Sequence, residues 1–167
     1  MSSFRSLALM FLFLAAGVSD EELARGGRIR EGASVHASLR IVIHASAEKV
    51  WSVLTDIPNW PKWQGDISAA QTSGPVEAGM AFSWTIGGTH IKSRLALVHP
   101  YSQLAWTGKA FGASAIHVWK LSRTADRETT VATDESMDGF LLTLFYSSKK
   151  LAASDQLWLE RLKAASE

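Results

Sequence analysis

Alternating apolar and polar residues dominate the chain from Val35 onward and restrict its fold more than any other feature. The first alternating segment spans 35–43, and six more follow it: 66–72, 80–86, 91–97, 103–109, 113–121 and 129–137. A period of two is typical of a strand with one buried face. Because short links join most of these segments, the pattern predicts one antiparallel sheet with an apolar face.

Two helical segments accompany the predicted strands. Ser46 is expected to cap a helix that ends before the prolines of the segment 56–64, DIPNWPKWQ, where a short broken turn follows. A second, amphipathic helix is expected over 140–165, with a length of about 40 Å. The simplest packing wraps the curved sheet around this C-terminal helix.

The N-terminal residues have the pattern of a targeting segment. Residues 1–17 carry one positive charge at Arg5, then a short apolar run that ends in small residues, which predicts a cleaved signal peptide and a secreted or periplasmic protein. An uncleaved membrane anchor or a docked helix is the alternative. Residues 18–34 are interpreted as a linker or short helix, and 35–167 as the folded domain.

Charge and residue types exclude several classes of function. The formal net charge is +1 and no long basic run occurs, so nucleic-acid binding has little electrostatic support. The absence of cysteine excludes disulfides, thiolate metal sites and cysteine nucleophiles. The five histidines are scattered and no nucleotide or serine-hydrolase motif occurs, so neither a metal nor a cofactor is predicted. Seven tryptophans predict a large aromatic interior.

Seven short motifs follow one another along the predicted domain. They are IHASAEKVW (43–51), DIPNWPKW (56–63), FSW (82–84), WTG (106–108), AIHVW (115–119), DES (134–136) and WLERLK (158–163). In this order they resemble the START-like, or polyketide cyclase/dehydrase, superfamily. The resemblance implies an α+β helix-grip fold: a curved antiparallel sheet of six to seven strands around a long C-terminal helix, with two short helices after the first strand. It also implies a deep cavity for a hydrophobic small molecule.

His117 and Glu135 are the candidate catalytic residues. His117 shares a predicted strand face with apolar residues, and if Leu121 pairs with Val131 the period of two places His117 opposite Glu135. A buried histidine beside a carboxylate suits general acid–base chemistry. A structural hydrogen bond is the alternative, and a shift of one residue would turn Asp134 inward instead.

Twelve further residues are predicted to line the cavity, with ordinary core packing as the alternative. They are Trp60, Trp63, Phe82, Trp84, Ser93, Leu95, Trp106, Phe111, Trp119, Thr133, Leu141 and Phe145. Trp60 and Trp63 are three residues apart and are expected at the cavity rim. Tyr146 is expected either to present its hydroxyl to the cavity or to lie at its boundary. Asp155 interrupts the apolar stripe of the C-terminal helix and is expected in solvent at the sheet edge, because charged side chains are seldom buried. Contact with polar groups of a bound molecule is the alternative.

Three functions remain open from the sequence. The first is binding or carriage of a hydrophobic small molecule that is lipid-like, aromatic or polyketide-like. The second is a cyclase or dehydratase that uses His117 and Glu135 as an acid–base pair. The third is a protein-interaction module similar to chaperone co-activators. A hydrophobic small molecule is the expected partner, and contact with a membrane is expected only through an uncleaved N-terminal segment.

Overall fold

A computed structural model describes residues 17–125 and 127–167, so the predicted signal peptide lies outside the described residues except for Gly17. The strands are β1 (Val35–Ile43), β2 (Ile67–Thr72), β3 (Ala81–Ile86), β4 (Thr89–His99), β5 (Gln103–Ala110), β6 (Ala113–Ala125) and β7 (Glu128–Gly139). The helices are α1 (Asp20–Arg25), α2 (Ala47–Thr55), α3 (Trp60–Trp63), α4 (Leu142–Phe145) and α5 (Ser148–Ser166), with a 3-10 turn at Ile57–Asn59.

The seven strands form one antiparallel sheet in the order β1-β7-β6-β5-β4-β3-β2. The predicted register of the last hairpin is confirmed, because Leu121 pairs with Val131 and His117 with Glu135. The helix-grip architecture, with short helices after the first strand and a C-terminal helix against the sheet, is therefore confirmed as well.

The first short helices follow the local sequence rules. The Ser46 side chain accepts a hydrogen bond from the Lys49 amide and caps α2, as predicted. Pro58 and Pro61 each lie within the first two positions of a new short helix, where proline needs no amide donor. The chain therefore turns sharply after α2 and brings Trp60 under the sheet.

The C-terminal helix begins later than predicted. Instead of one helix over 140–165, the structure has the single turn α4, an extended residue at Tyr146, and then α5. The break has a local cause, since the Ser147 side chain accepts a hydrogen bond from the Lys150 amide and starts a new helix. The resulting helix of 19 residues is about 28 Å long.

The core is centred on Trp60, which corrects the prediction that this residue lies at the cavity rim. Trp60 is 0% exposed, and its indole N–H donates to the Leu54 carbonyl at 2.9 Å. Four aromatic rings surround it with centroid distances between 5.1 and 5.8 Å, and together with Trp60 they form the aromatic cluster: Phe82, Trp84, Trp106 and Trp158. Trp63 packs edge-to-face against Trp158 at the border of this cluster.

The helix α1 covers the opposite face of the sheet. Ser19 and Glu22 form a reciprocal capping box at its start, and Ala24 is completely buried against Ile116 and Val118. The segment 18–34 is thus partly helical and packed. Within residues 17–125 and 127–167, no helix combines the length and apolarity needed to cross a membrane.

Candidate functional site

A cavity of about 1050 Å³ lies between the inner face of the sheet and α5. Its wall is aromatic, with Trp84, Trp106 and Trp158. Three buried or nearly buried polar side chains, which we call the polar floor, lie at its deep end: His117, Glu135 and Asp155. Its mouth is bordered by exposed apolar residues between the ends of β5 and β7 and the start of α5. The cavity lining is therefore mainly apolar and carries one compact group of buried polar side chains.

The polar floor is assembled from three elements. The pairing of β6 with β7 places His117 Nδ1 3.4 Å from Glu135 Oε2, and His117 Nε2 lies 2.7 Å from the Thr133 hydroxyl. Asp155 approaches from α5, so that ligand atoms of all three side chains lie within 4.8 Å of one another. Both ring nitrogens of His117 therefore have polar neighbours.

Asp155 is not in solvent, which corrects the first of the two sequence-based expectations for this residue. Its exposure is 1%, because α5 buries one stripe of residues and Asp155 lies on that stripe four residues after Leu151. Its Oδ2 atom is buried and has no hydrogen-bond partner among the described residues. The three- and four-residue spacing of apolar residues along this segment was the sequence signal for an inward-facing position, and the charge of Asp155 argued against it.

Burial sets the protonation of the polar floor. Desolvation lowers the pKa of His117 to about 3, so its imidazole is neutral at pH 7. Desolvation, together with the neighbouring Asp155 carboxyl, raises the pKa of Glu135 well above its usual range. Desolvation also raises the pKa of Asp155 to about 6. A neutral imidazole at pH 7 therefore lies beside a Glu135 carboxyl that burial shifts towards its protonated form.

Eight of the predicted site residues line the cavity together: Trp84, Ser93, Trp106, Phe111, His117, Glu135, Leu141 and Phe145. The Ser93 hydroxyl, however, already accepts the Trp84 indole N–H at 3.1 Å. The serine thus orients one ring of the aromatic wall.

The other six predicted ligand residues lie outside the cavity lining: Trp60, Trp63, Phe82, Leu95, Trp119 and Thr133. Trp60 and Phe82 belong to the aromatic cluster, which fills the space beside the cavity. Thr133 is buried and occupied by its hydrogen bond to His117. An inward-facing position therefore did not ensure contact with the cavity, because part of the interior is solid core.

Several lining residues were not among the sequence candidates for ligand binding. Trp158 and Ser154 come from α5, and Ile91 and Met137 from strand positions that look like ordinary core. Tyr146, for which a cavity position was one of two expectations, also lines the cavity, and burial raises the pKa of its hydroxyl. Helical spacing was the available signal for Trp158, whereas nothing in the spacing separates Ile91 from a core residue.

Comparison with known protein families places this geometry in context. The profile of a family described as "Polyketide cyclase / dehydrase and lipid transport" matches residues 34–167. This range contains all seven strands, α5 and the whole polar floor. A search of curated proteins found no match.

Solved structures share the fold at low sequence identity. A hypothetical protein from Helicobacter pylori is 19% identical, with a TM-score of 0.73 over 82% of this chain and 90% of its own. A START superfamily protein from Mycobacterium smegmatis is 14% identical, with a TM-score of 0.61 over 78% and 92%. The di-domain ARO/CYC protein StfQ from the steffimycin biosynthetic pathway is 15% identical, with a TM-score of 0.65 over 78% of this chain and 44% of its own.

Proposed function

This chain belongs to the polyketide cyclase/dehydrase and lipid transport family, and we propose that it binds a hydrophobic small molecule in the cavity between the sheet and α5. The observation that carries the proposal is the cavity itself, about 1050 Å³ with an aromatic wall and a compact polar floor. Ligand sites are typically concave, mostly apolar and equipped with a few polar groups that fix orientation. The ligand class is lipid-like, aromatic or polyketide-like.

The polar floor gives this ligand a direction. Trp84, Trp106 and Trp158 offer ring faces and edges to an apolar body. Asp155 Oδ2, which is buried without a partner, accepts a hydrogen bond from one polar end of the molecule. A buried acceptor without a partner is costly, so a ligand that donates a hydrogen bond there binds better than a wholly apolar one of equal size.

Replacing Ala115 with phenylalanine is expected to block the cavity. Ala115 lines it on β6, on the same face as His117, so the added ring occupies ligand space. We expect the affinity for N-phenyl-1-naphthylamine, a neutral apolar probe with one N–H donor, to fall by at least about tenfold, a loss of about 1.4 kcal/mol in binding free energy. Probe fluorescence measures the affinity.

The matched control is Ala132→Phe, which adds the same ring on the outer face of β7. Equal loss of affinity in both variants would show that the effect is not local to the cavity. If the wild-type chain binds no probe at all, the pocket proposal fails and the protein-interaction alternative is favoured.

A cyclase or dehydratase is the second candidate, favoured by the position of His117 and Glu135 on the cavity lining. In a dehydration, the neutral His117 imidazole removes the proton from the carbon beside a carbonyl. The Glu135 carboxyl gives its proton to the departing β-hydroxyl, which leaves as water while the carbon–carbon double bond forms. The proton then returns from His117 to Glu135 across 3.4 Å, which restores both groups.

The variant His117→Gln tests this second candidate. With an aromatic β-hydroxy ketone as substrate, we expect the single-turnover rate at saturation to fall by about 100-fold or more, because a general base is lost. Saturating substrate separates the chemical step from binding. An unchanged rate would overturn the catalytic role of His117, and the absence of turnover by the wild-type chain would remove the candidate.

A further inference from the structure

Five exposed apolar residues concentrate at the cavity mouth and form what we call the apolar lip. They are Phe111, Phe140, Leu141, Leu144 and Phe145, five of the eight exposed large hydrophobic residues in the described part of the chain. Phe111 is 91% exposed and Phe140 97%. All except Leu144 border the cavity. Single exposed apolar residues are common, but such a concentration marks an interaction site.

The backbone places Phe111, in the β5–β6 turn, beside Phe140, which directly follows β7. Phe111 has a φ of 48° and Gly112 a φ of 76°, so the β5–β6 turn presents a phenylalanine in a conformation that side chains rarely adopt. Ala113, which follows Gly112, pairs with Gly139. The two strands approach so closely there that a Cβ atom at position 139 would lie 3.0 Å from Ala113. Phe111 and Phe140 therefore leave the sheet at the same end.

Two exposed lysines lie directly beside the lip. Lys149 and Lys150 are exposed at the start of α5, directly after the lip, and neither takes part in the ion pairs formed by the described residues. Lys150 Nζ donates to the Phe145 carbonyl and so stays beside the lip. Of the acidic side chains near the mouth, Asp66 pairs with Arg161, and Asp138 shares Arg30 with Asp20.

We propose that the apolar lip docks on the surface of an anionic lipid bilayer, with the cavity mouth against the membrane. The proposal rests on the proposed function, because a hydrophobic ligand that enters through this mouth would then pass directly between bilayer and cavity. Exposed phenylalanine and leucine side chains suit insertion at the headgroup–acyl boundary, and flanking lysines attract anionic headgroups. Docking adds a second, independent membrane contact to any made by the N-terminal segment.

Site-specific labels test this contact. The chain contains no cysteine, so Phe111→Cys and Phe140→Cys each accept one environment-sensitive fluorophore. The matched control is Tyr101→Cys, a 51% exposed aromatic in the β4–β5 turn at the other end of the sheet. The full chain is titrated with vesicles of phosphatidylcholine alone and with one-third phosphatidylglycerol.

We expect a blue shift for the labels at 111 and 140, none at 101, and half-saturation at about tenfold less anionic lipid than neutral lipid. Phe140→Ser combined with Phe145→Ser should weaken vesicle binding by about tenfold or more. The proposal is overturned if the labels at 111 and 140 do not shift, if the label at 101 shifts equally, or if the shift follows protein concentration without vesicles. Solution binding of N-phenyl-1-naphthylamine, measured separately, distinguishes failure of docking from failure of the proposed function.

Discussion

Replacing Trp60 with alanine is expected to lower the free energy of unfolding by about 3–5 kcal/mol. Trp60 is completely buried and its ring contacts four other aromatic rings. Its loss removes these contacts and leaves the Leu54 carbonyl without the indole N–H that it accepts. Urea unfolding followed by tryptophan fluorescence measures the change.

Trp63→Ala is the matched control, since it removes an equal ring three residues away. Trp63 is only partly buried and packs on Trp158 at the border of the aromatic cluster, so we expect a loss of about 1–2 kcal/mol. If the two variants cost the same, Trp60 is not the centre of the core. Trp84, Trp106 and Trp158 belong both to the cluster and to the cavity wall, so Trp60→Ala should also weaken probe binding.

The strands and their pairing could be predicted because the information lies within short stretches of the chain. The last hairpin shows this most clearly: both of its strands alternate, a short polar turn joins them, and one register keeps all apolar residues on one face. The pairing of His117 with Glu135 follows from that register alone. A shift of one residue would have turned the whole inner row outward.

The break in the C-terminal segment could not be predicted from apolar spacing. Leu144 and Phe145 continue the apolar stripe, so the same pattern describes either a buried helix or an exposed lip. The tendency of Ser147 to cap a helix was a local signal, but its weight depends on whether those apolar residues find partners. That is a tertiary property, and most helical stability comes from such packing.

The polar floor was predicted only in part for a related reason. His117 and Glu135 meet through a local hairpin, whereas Asp155 meets them through the packing of α5 on the sheet. A carboxylate is normally a sign of solvent exposure. For Asp155, helical spacing suggested the inward face of the helix, whereas its charge suggested the outer face. The residues that make burial acceptable, Glu135 and His117, lie about 20 and 38 residues earlier in the chain, beyond the reach of local patterns.

Glu135 is expected to make the protein less stable as the pH rises towards the raised pKa that this carboxyl has in the folded state. Because its pKa is raised in the folded state, the folded chain keeps a proton that the unfolded chain has released. The associated stability is complete below the ordinary pKa of a glutamate and is lost as the pH rises towards the folded value. One extra proton in the folded state lowers the free energy of unfolding by about 1.4 kcal/mol per pH unit.

The other two floor residues make the region above about pH 7.5 the cleanest test of Glu135. The lowered pKa of His117 costs stability as the pH falls from 6.5 towards 3, and the raised pKa of Asp155 costs stability as the pH rises from 3.8 towards 6. Both contributions are nearly complete by about pH 7.5. Urea unfolding at pH 7.5, 8.0 and 8.5 should therefore show a free energy of unfolding that falls more steeply with pH in the wild type than in Glu135→Gln, which keeps the shape of the side chain without its proton. Parallel slopes would mean that Glu135 is already ionised at pH 7.5, and the acid role assigned to it in the dehydration would be overturned by that result.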